Sequence, residues 1–264
     1  MLCGCVTGDV DESRTVCRKL FQQSVMEFSK EEKAFLDKAV VRSKGLLKDN
    51  FSFFLKKRWK FIKFSEKVCA GFPHTRKDSI LLSDRILKYF LKIKNIDKLA
   101  LLLIHERIHV LQRAYPKRFD TFYTEYWGFI KAKEIQSCFE WELNKMSNPD
   151  AMKNPWVMKL GDYYWMRTMI RKGVKEPKMG RDFQSVALRL EKTGDRTFKV
   201  AEKGHGDFEK MPRYKSKFFT GKGLDHPNEI FAYSFTHMLE VYFLKTKNET
   251  PEIKKFYKSM KRNF

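Results

Sequence analysis

Residues 105–109 read His-Glu-Arg-Ile-His within the apolar stretch DKLALLLIHERIHVLQRAYP. On a helix, positions i and i+4 share one face, so His105 and His109 can grip a single ion together. Neutral imidazole is a good zinc ligand, and zinc brings the pKa of a bound water down toward neutrality. Glu106 stands beside the pair, where its carboxylate can take a proton from such a water. The surrounding apolar residues make two histidines and a glutamate expensive to bury without a purpose.

A catalytic zinc takes three protein ligands and keeps one open position. The compact pattern with a third histidine six residues after the second fails, because position 112 is Gln and position 115 is Tyr. Glutamates supply the candidates. Glu134, Glu140 and Glu142 fall in a stretch expected to be the next helix, and Glu229 falls in DHPNEIFAYSF. Local grounds favour Glu229. It sits in the first turn of an expected helix behind Pro227, with the small Ala232 close after it. Glu134 is flanked by lysines and reads as part of a solvated helix face.

The elements that must hold these residues can be outlined from the chain. Ser29 and Glu32 form a capping box that opens a helix ending near Gly45. NFSFFLKKRWKFIKF is ambiguous between strand and helix. GFPHTRKDSILLSD reads as a loop with a short strand at 80–82, and DRILKYFLKIKN as a short helix. Asp97 is the expected cap of the motif helix, roughly 98–114, which stops before Pro116. Residues 117–146 read as one aromatic helix whose Phe122, Tyr123, Tyr126, Trp127 and Phe129 belong to a core. Between about 157 and 202, short β-prone runs broken by Gly, Pro and Asp read as an antiparallel β insertion. A long amphipathic helix follows Pro227 and a last one follows Pro251.

His105-Glu106-Arg107-Ile108-His109 followed by Asn228-Glu229-Ile230-Phe231-Ala232 resembles the gluzincin branch of the zincin metallopeptidases. The stretch FPHTRKDSILLS also resembles the strand that precedes the active-site helix in zincins, where an edge strand pairs with extended substrate. The layout is similar, too, to uncharacterised zincin-like proteins of large DNA viruses. The likeness covers residues 72–130 and 225–240, and the long β insertion departs from the compact members. It implies an α+β, zincin-like fold: an active-site helix preceded by a small β-sheet, a β-rich insertion and C-terminal helices. It implies a 1–50 N-terminal segment with a helix, and a 51–264 metallopeptidase domain containing the insertion. It implies Zn2+ on His105, His109 and Glu229, Glu106 as general base, and a Tyr or His that donates to the oxyanion. Tyr233 and His237, four and eight residues after Glu229, are the candidates for that donor. His226 and Asp225 could orient a ligand, His74 could line the cleft, and His205 reads as an exposed turn residue.

The chain has 264 residues and carries 54 Lys and Arg against 32 Asp and Glu, a net charge of +22. Such an excess suits weak electrostatic association with nucleic acid or acidic proteins beside a protein or peptide substrate. It also frames the alternative function, a basic nucleic-acid- or virion-associated protein with a structural or degenerate zinc site. No Walker-type glycine loop or paired CxxC is present. The longest apolar run, 99–104, is far too short to span a bilayer. The N-terminus lacks a basic start followed by an apolar block, so no secretory signal is read. The five cysteines, Cys3, Cys5, Cys17, Cys69 and Cys138, are scattered and suit reduced thiols in a cytoplasmic setting. Acylation of Cys3 and Cys5 has no second anchoring element beside it.

Overall fold

The computed structural model describes residues 10–137, 141, 145, 150, 154–171, 183–207, 210–211, 214, 216–221 and 226–264. Helices and strands are mixed, as expected of an α+β chain. Contacts divide it into two units, Met1–Ala114 with Ala232–Phe264, and Tyr115–Phe231.

In the first unit, helix α1 (Val10–Gln23) leads to strand β1 (Val25–Met26) and helix α2 (Lys30–Leu47). The capping box forms: the Ser29 hydroxyl accepts from the Glu32 N–H, and the Glu32 carboxylate accepts from the Ser29 N–H. Glu32 is buried and also takes a hydrogen bond from Lys63 at 2.9 Å. Burial pushes its carboxyl up, but the Lys63 and Ser29 hydrogen bonds together hold it below its ordinary value. The ambiguous aromatic stretch resolves into a 3-10 turn, Ser52–Leu55, and a strand, β2 (Phe61–Phe64). Strands β3 (His74–Arg76) and β4 (Ser79–Ser83) complete a four-stranded sheet of order β1-β2-β4-β3. β4 runs parallel to β2 and antiparallel to β3, which forms an edge. Lys77, in the left-handed region at φ 51°, turns the chain between β3 and β4.

Helix α3 (Asp84–Ile93) precedes the motif helix α4 (Ile96–Ala114). The cap of α4 is Asn95, whose side-chain oxygen accepts from the Lys98 N–H, and not Asp97. Asp97 lies inside the first turn and pairs with Arg42 at 2.5 Å. α4 is apolar nearly all round: Leu99, Ala100, Leu103, Ile104, Ile108 and Leu111 are fully buried, the mark of a central helix. Leu36 and Ala39 of α2, Ile80 and Leu82 of β4, and Leu87 and Phe90 of α3 share one core with Leu99, Leu103 and Val110. The small Ala39, Ser43 and Ala100 are fully buried, and the Ser43 hydroxyl reaches the Ala100 carbonyl at 3.3 Å, so α2 and α4 approach closely.

In the second unit, helix α5 (Pro116–Trp127) ends at Gly128, whose φ of 74° is a left-handed cap. The expected single helix over 117–146 therefore stops early. Residues 129–136 form two short strands, β5 (Phe129–Lys131) and β6 (Glu134–Gln136). Their alternating, β-branched pattern was overshadowed by the aromatic helix before it. β7 (Trp156–Leu160), β8 (Tyr163–Arg171), β9 (Phe183–Gly194) and β10 (Thr197–Val200) follow as an antiparallel run, while β6 joins β10 in parallel and β11 (Gly206–Asp207) pairs with β9. One sheet face buries Val157, Val186, Leu188, Leu190 and Phe198. Phe122, Tyr123, Trp127 and Phe129 are buried with Trp156, Phe218 and Phe231, and Tyr126 is half-buried, so the aromatic set is core.

Helix α6 (Pro227–Leu239) begins behind Pro227 and continues as a π-helical turn, Glu240–Leu244, before helix α7 (Pro251–Asn263). Thr250 caps α7 through its hydroxyl. In the first unit, Phe235 of α6 packs on Phe51 and Phe54, at 5.1 and 4.4 Å between ring centres, and Phe264 after α7 lies 5.5 Å from Phe54. Among the described residues no helix is long and apolar enough to cross a membrane.

Candidate metal centre

Helix α4 presents His105 and His109 on one face, both buried, with their Nε2 atoms 3.1 Å apart. Gln112, one turn further on, takes a 2.8 Å hydrogen bond from His109 Nδ1. An amide oxygen can only accept, so Nδ1 carries the proton and Nε2 keeps its lone pair, directed at His105. Two nitrogens on one tetrahedral zinc, each about 2.1 Å from it, stand about 3.4 Å apart. The observed separation is close to that spacing, so the pair fits an ion of this kind.

Glu106, on the same turn, is buried at 4% exposure. Arg107, the next residue, leaves the histidine face. Its guanidinium donates to the carbonyls of Phe54, Arg58 and Leu55 at 3.2, 2.7 and 3.5 Å and lies 4.8 Å from the Trp59 ring. It therefore ties the Ser52–Leu55 turn to α4 and has no part in the metal face.

Glu229 stands in the first turn of α6 and is buried. Two nitrogens and a carboxylate oxygen form the donor set of many catalytic zinc sites. His226 caps the helix: its Nδ1 accepts from the Asn228 N–H at 3.0 Å. Asn228 in turn accepts from the Tyr123 hydroxyl at 2.9 Å, so the turn bearing Glu229 is pinned from both flanks. One turn after Glu229, the Tyr233 ring packs edge-on against His105, 4.5 Å between centres.

Other candidates fall elsewhere. Glu134 is exposed on β6. His237 is half-buried two turns beyond Glu229 on α6. His74 is a buried residue of β3, bonded through Nδ1 to the Phe72 carbonyl and set edge-on to Phe64 and Phe21. It is core, not a loop residue. His205 is no exposed turn residue either. It is half-buried, accepts from the Arg189 N–H at 3.3 Å and meets the Trp141 ring at 5.0 Å. Burial first, and then the Arg189 charge, lowers its pKa. Glu140, Glu142, Asp225, Cys3, Cys5 and Cys138 lie outside the described residues. Cys17 and Cys69 are in no disulfide among the described residues.

Gln112 is a neighbour of His109 that motif reading missed. It served there only to exclude a third histidine, although an amide three residues after a ligand histidine is placed to orient it. The chain matches no family model, no curated protein and no solved structure.

Proposed function

We propose that the chain is a zinc-dependent metallopeptidase of the gluzincin kind, with His105, His109 and Glu229 as metal ligands. The observation that carries this reading is the facing Nε2 pair of His105 and His109, 3.1 Å apart, beside a buried glutamate that the pair does not need for binding. Zinc bound there supplies a Lewis acid that acidifies a water and polarises a carbonyl. Glu106 takes the proton from the attacking water and returns it to the leaving amine. The Tyr233 hydroxyl is the proposed donor to the carbonyl oxygen as charge develops on it, with His237 as the more remote candidate. Gln112 fixes the ring of His109, and His226 fixes the turn that bears Glu229.

A zincin-like arrangement is supported by the short mixed sheet that precedes α4 and by its edge strand β3, antiparallel to β4. An extended peptide would add to that edge. The proposed partner is thus a protein or peptide substrate, and the proposed setting is cytoplasmic.

The test is Glu106→Gln. The amide cannot accept the water's proton, so hydrolysis of an unfolded protein substrate should fall by about 100-fold or more while zinc content stays at the wild-type level. Loss of zinc with this substitution would make Glu106 a ligand and overturn its role. Full hydrolysis by the variant would exclude it as the base.

A further inference from the structure

We infer that the outer face of α7, with the basic turn at 56–58, is a docking surface for the phosphate backbone of duplex nucleic acid. It lies in the first unit and owes nothing to the metal site.

Five cations of α7, Lys254, Lys255, Lys258, Lys261 and Arg262, are exposed. At 3.6 residues per turn they fall within an arc of about 120°. The opposite side holds Ile253, Phe256, Ser259 and Met260, all buried. The helix is therefore locked to the core by one face and presents an unbroken basic stripe on the other. Its acidic residue, Glu252, is in the first turn, and Glu249 just before the helix pairs with Lys254 at 3.7 Å. Beyond that first turn the stripe carries positive charge alone.

A second basic group joins its C-terminal end. The Phe264 ring packs 5.3 Å from Phe53, and the Lys56 ammonium stands 5.1 Å from the same Phe53 ring. Lys56, Lys57 and Arg58 are all exposed. Eight cations distant in sequence thus share one neighbourhood, which a spread of lysines along the chain does not by itself provide.

The chemistry of the occupant follows from three features. From Lys254 to Arg262 the helix rises about 12 Å, the axial length of three to four phosphates on one duplex strand. The apolar face is already buried, so the helix has nothing to insert into a bilayer. The neighbouring rings are engaged as well: Phe53 and Phe256 are buried, and Tyr257 stacks on Tyr242 at 4.2 Å. Bases would find no stacking platform, so the contacts are to phosphates and indifferent to sequence.

The experiment is fluorescence anisotropy of the full chain with a labelled DNA duplex of about 20 base pairs, titrated over salt. The wild type should bind with a log–log salt slope of about −0.9 per phosphate contact. Lys258→Glu, Lys261→Glu and Arg262→Glu together should weaken binding by about 100-fold at low salt and flatten the slope by two to three contacts. Three reversals at the exposed Lys133, Lys192 and Lys199 serve as a control of equal charge change and should cost far less. Equal losses in the two triple variants would reduce the effect to net charge and overturn the assignment, as would no duplex binding by the wild type. Tighter binding to phosphatidylserine vesicles than to duplex would overturn it too, since the surface would then serve a membrane. Far-ultraviolet circular dichroism establishes that each variant is folded before it is compared.

Discussion

One helix, α4, holds two buried polar sites that differ in kind. Arg107 faces the Ser52–Leu55 turn, and three carbonyls with an aromatic ring answer its charge. His105 and His109 face the other way and aim two Nε2 atoms at each other. A guanidinium among carbonyls is complete with protein partners alone. Two imidazole nitrogens with a carboxylate nearby are the ligands an ion completes. Burial of polar groups therefore says little by itself. What separates the two sites is the partner each group meets: carbonyl acceptors for the guanidinium, a second ring nitrogen for each imidazole.

The strongest way to break this comparison is to delete each side in turn. His105→Ala with His109→Ala should abolish a zinc content of about one per chain and leave the metal-free fold intact, read by metal analysis and thermal unfolding. Stoichiometric zinc surviving in that variant would end the metal reading. Arg107→Ala should do the opposite. Three carbonyls and a cavity remain, so stability should drop by about 3 kcal/mol or more, while zinc per folded chain is unchanged. Arg107→Lys, which keeps charge but not the fork, should recover only part of that stability.

Next in size is the third ligand. Glu229→Ala should weaken zinc binding strongly, and Glu134→Ala should leave it as in the wild type, because Glu134 is an exposed strand residue. The reverse result in a competition assay would move the site to β6. Gln112→Leu is a finer probe of the same face. Without its oxygen the His109 tautomer is no longer set, and zinc affinity should fall by about 10- to 100-fold. No change in affinity would mean that Gln112 merely fills space.

The smallest effect concerns a third buried polar group of the first unit. Lys63 and Ser29 hold the Glu32 carboxyl below its ordinary value against the effect of burial. A depressed carboxylate contributes stability above its unfolded pKa and loses it as pH falls through the folded value. Glu32→Gln should therefore lower stability at neutral pH and flatten the acid limb of the stability curve below 4.5. An unchanged acid limb would show that the ion pair with Lys63 contributes nothing measurable.

Some of this was legible in the chain because it depends on short-range periodicity. The spacing of His105 and His109 needs only 3.6 residues per turn, and the capping box at Ser29 and Glu32 needs only one turn of backbone. The helix start at Pro227 follows from a fixed φ. Other features were not local. Residues 129–136 became strands because a left-handed Gly128 ended α5 and because β7 and β10 were there to pair with them. His74 and His205 look alike as loop residues, but one is enclosed by Phe64 and Phe21 and the other by Trp141 and the β9 backbone.

The sequence by itself determined that His105 and His109 share a helix face with Glu106 beside them, since all three lie within five residues of one helix. It also determined the amphipathic division of α7, for the same reason. Only tertiary structure could select a glutamate to accompany the pair, for Glu229 lies 120 residues beyond His109 and no periodicity spans that interval. It likewise decided that Tyr233 meets His105, that Arg107 belongs to the core, and that Lys56, Lys57 and Arg58 stand beside the end of α7. Contacts between residues far apart in the chain are selected by how apolar faces pack, and that selection is a property of the whole fold.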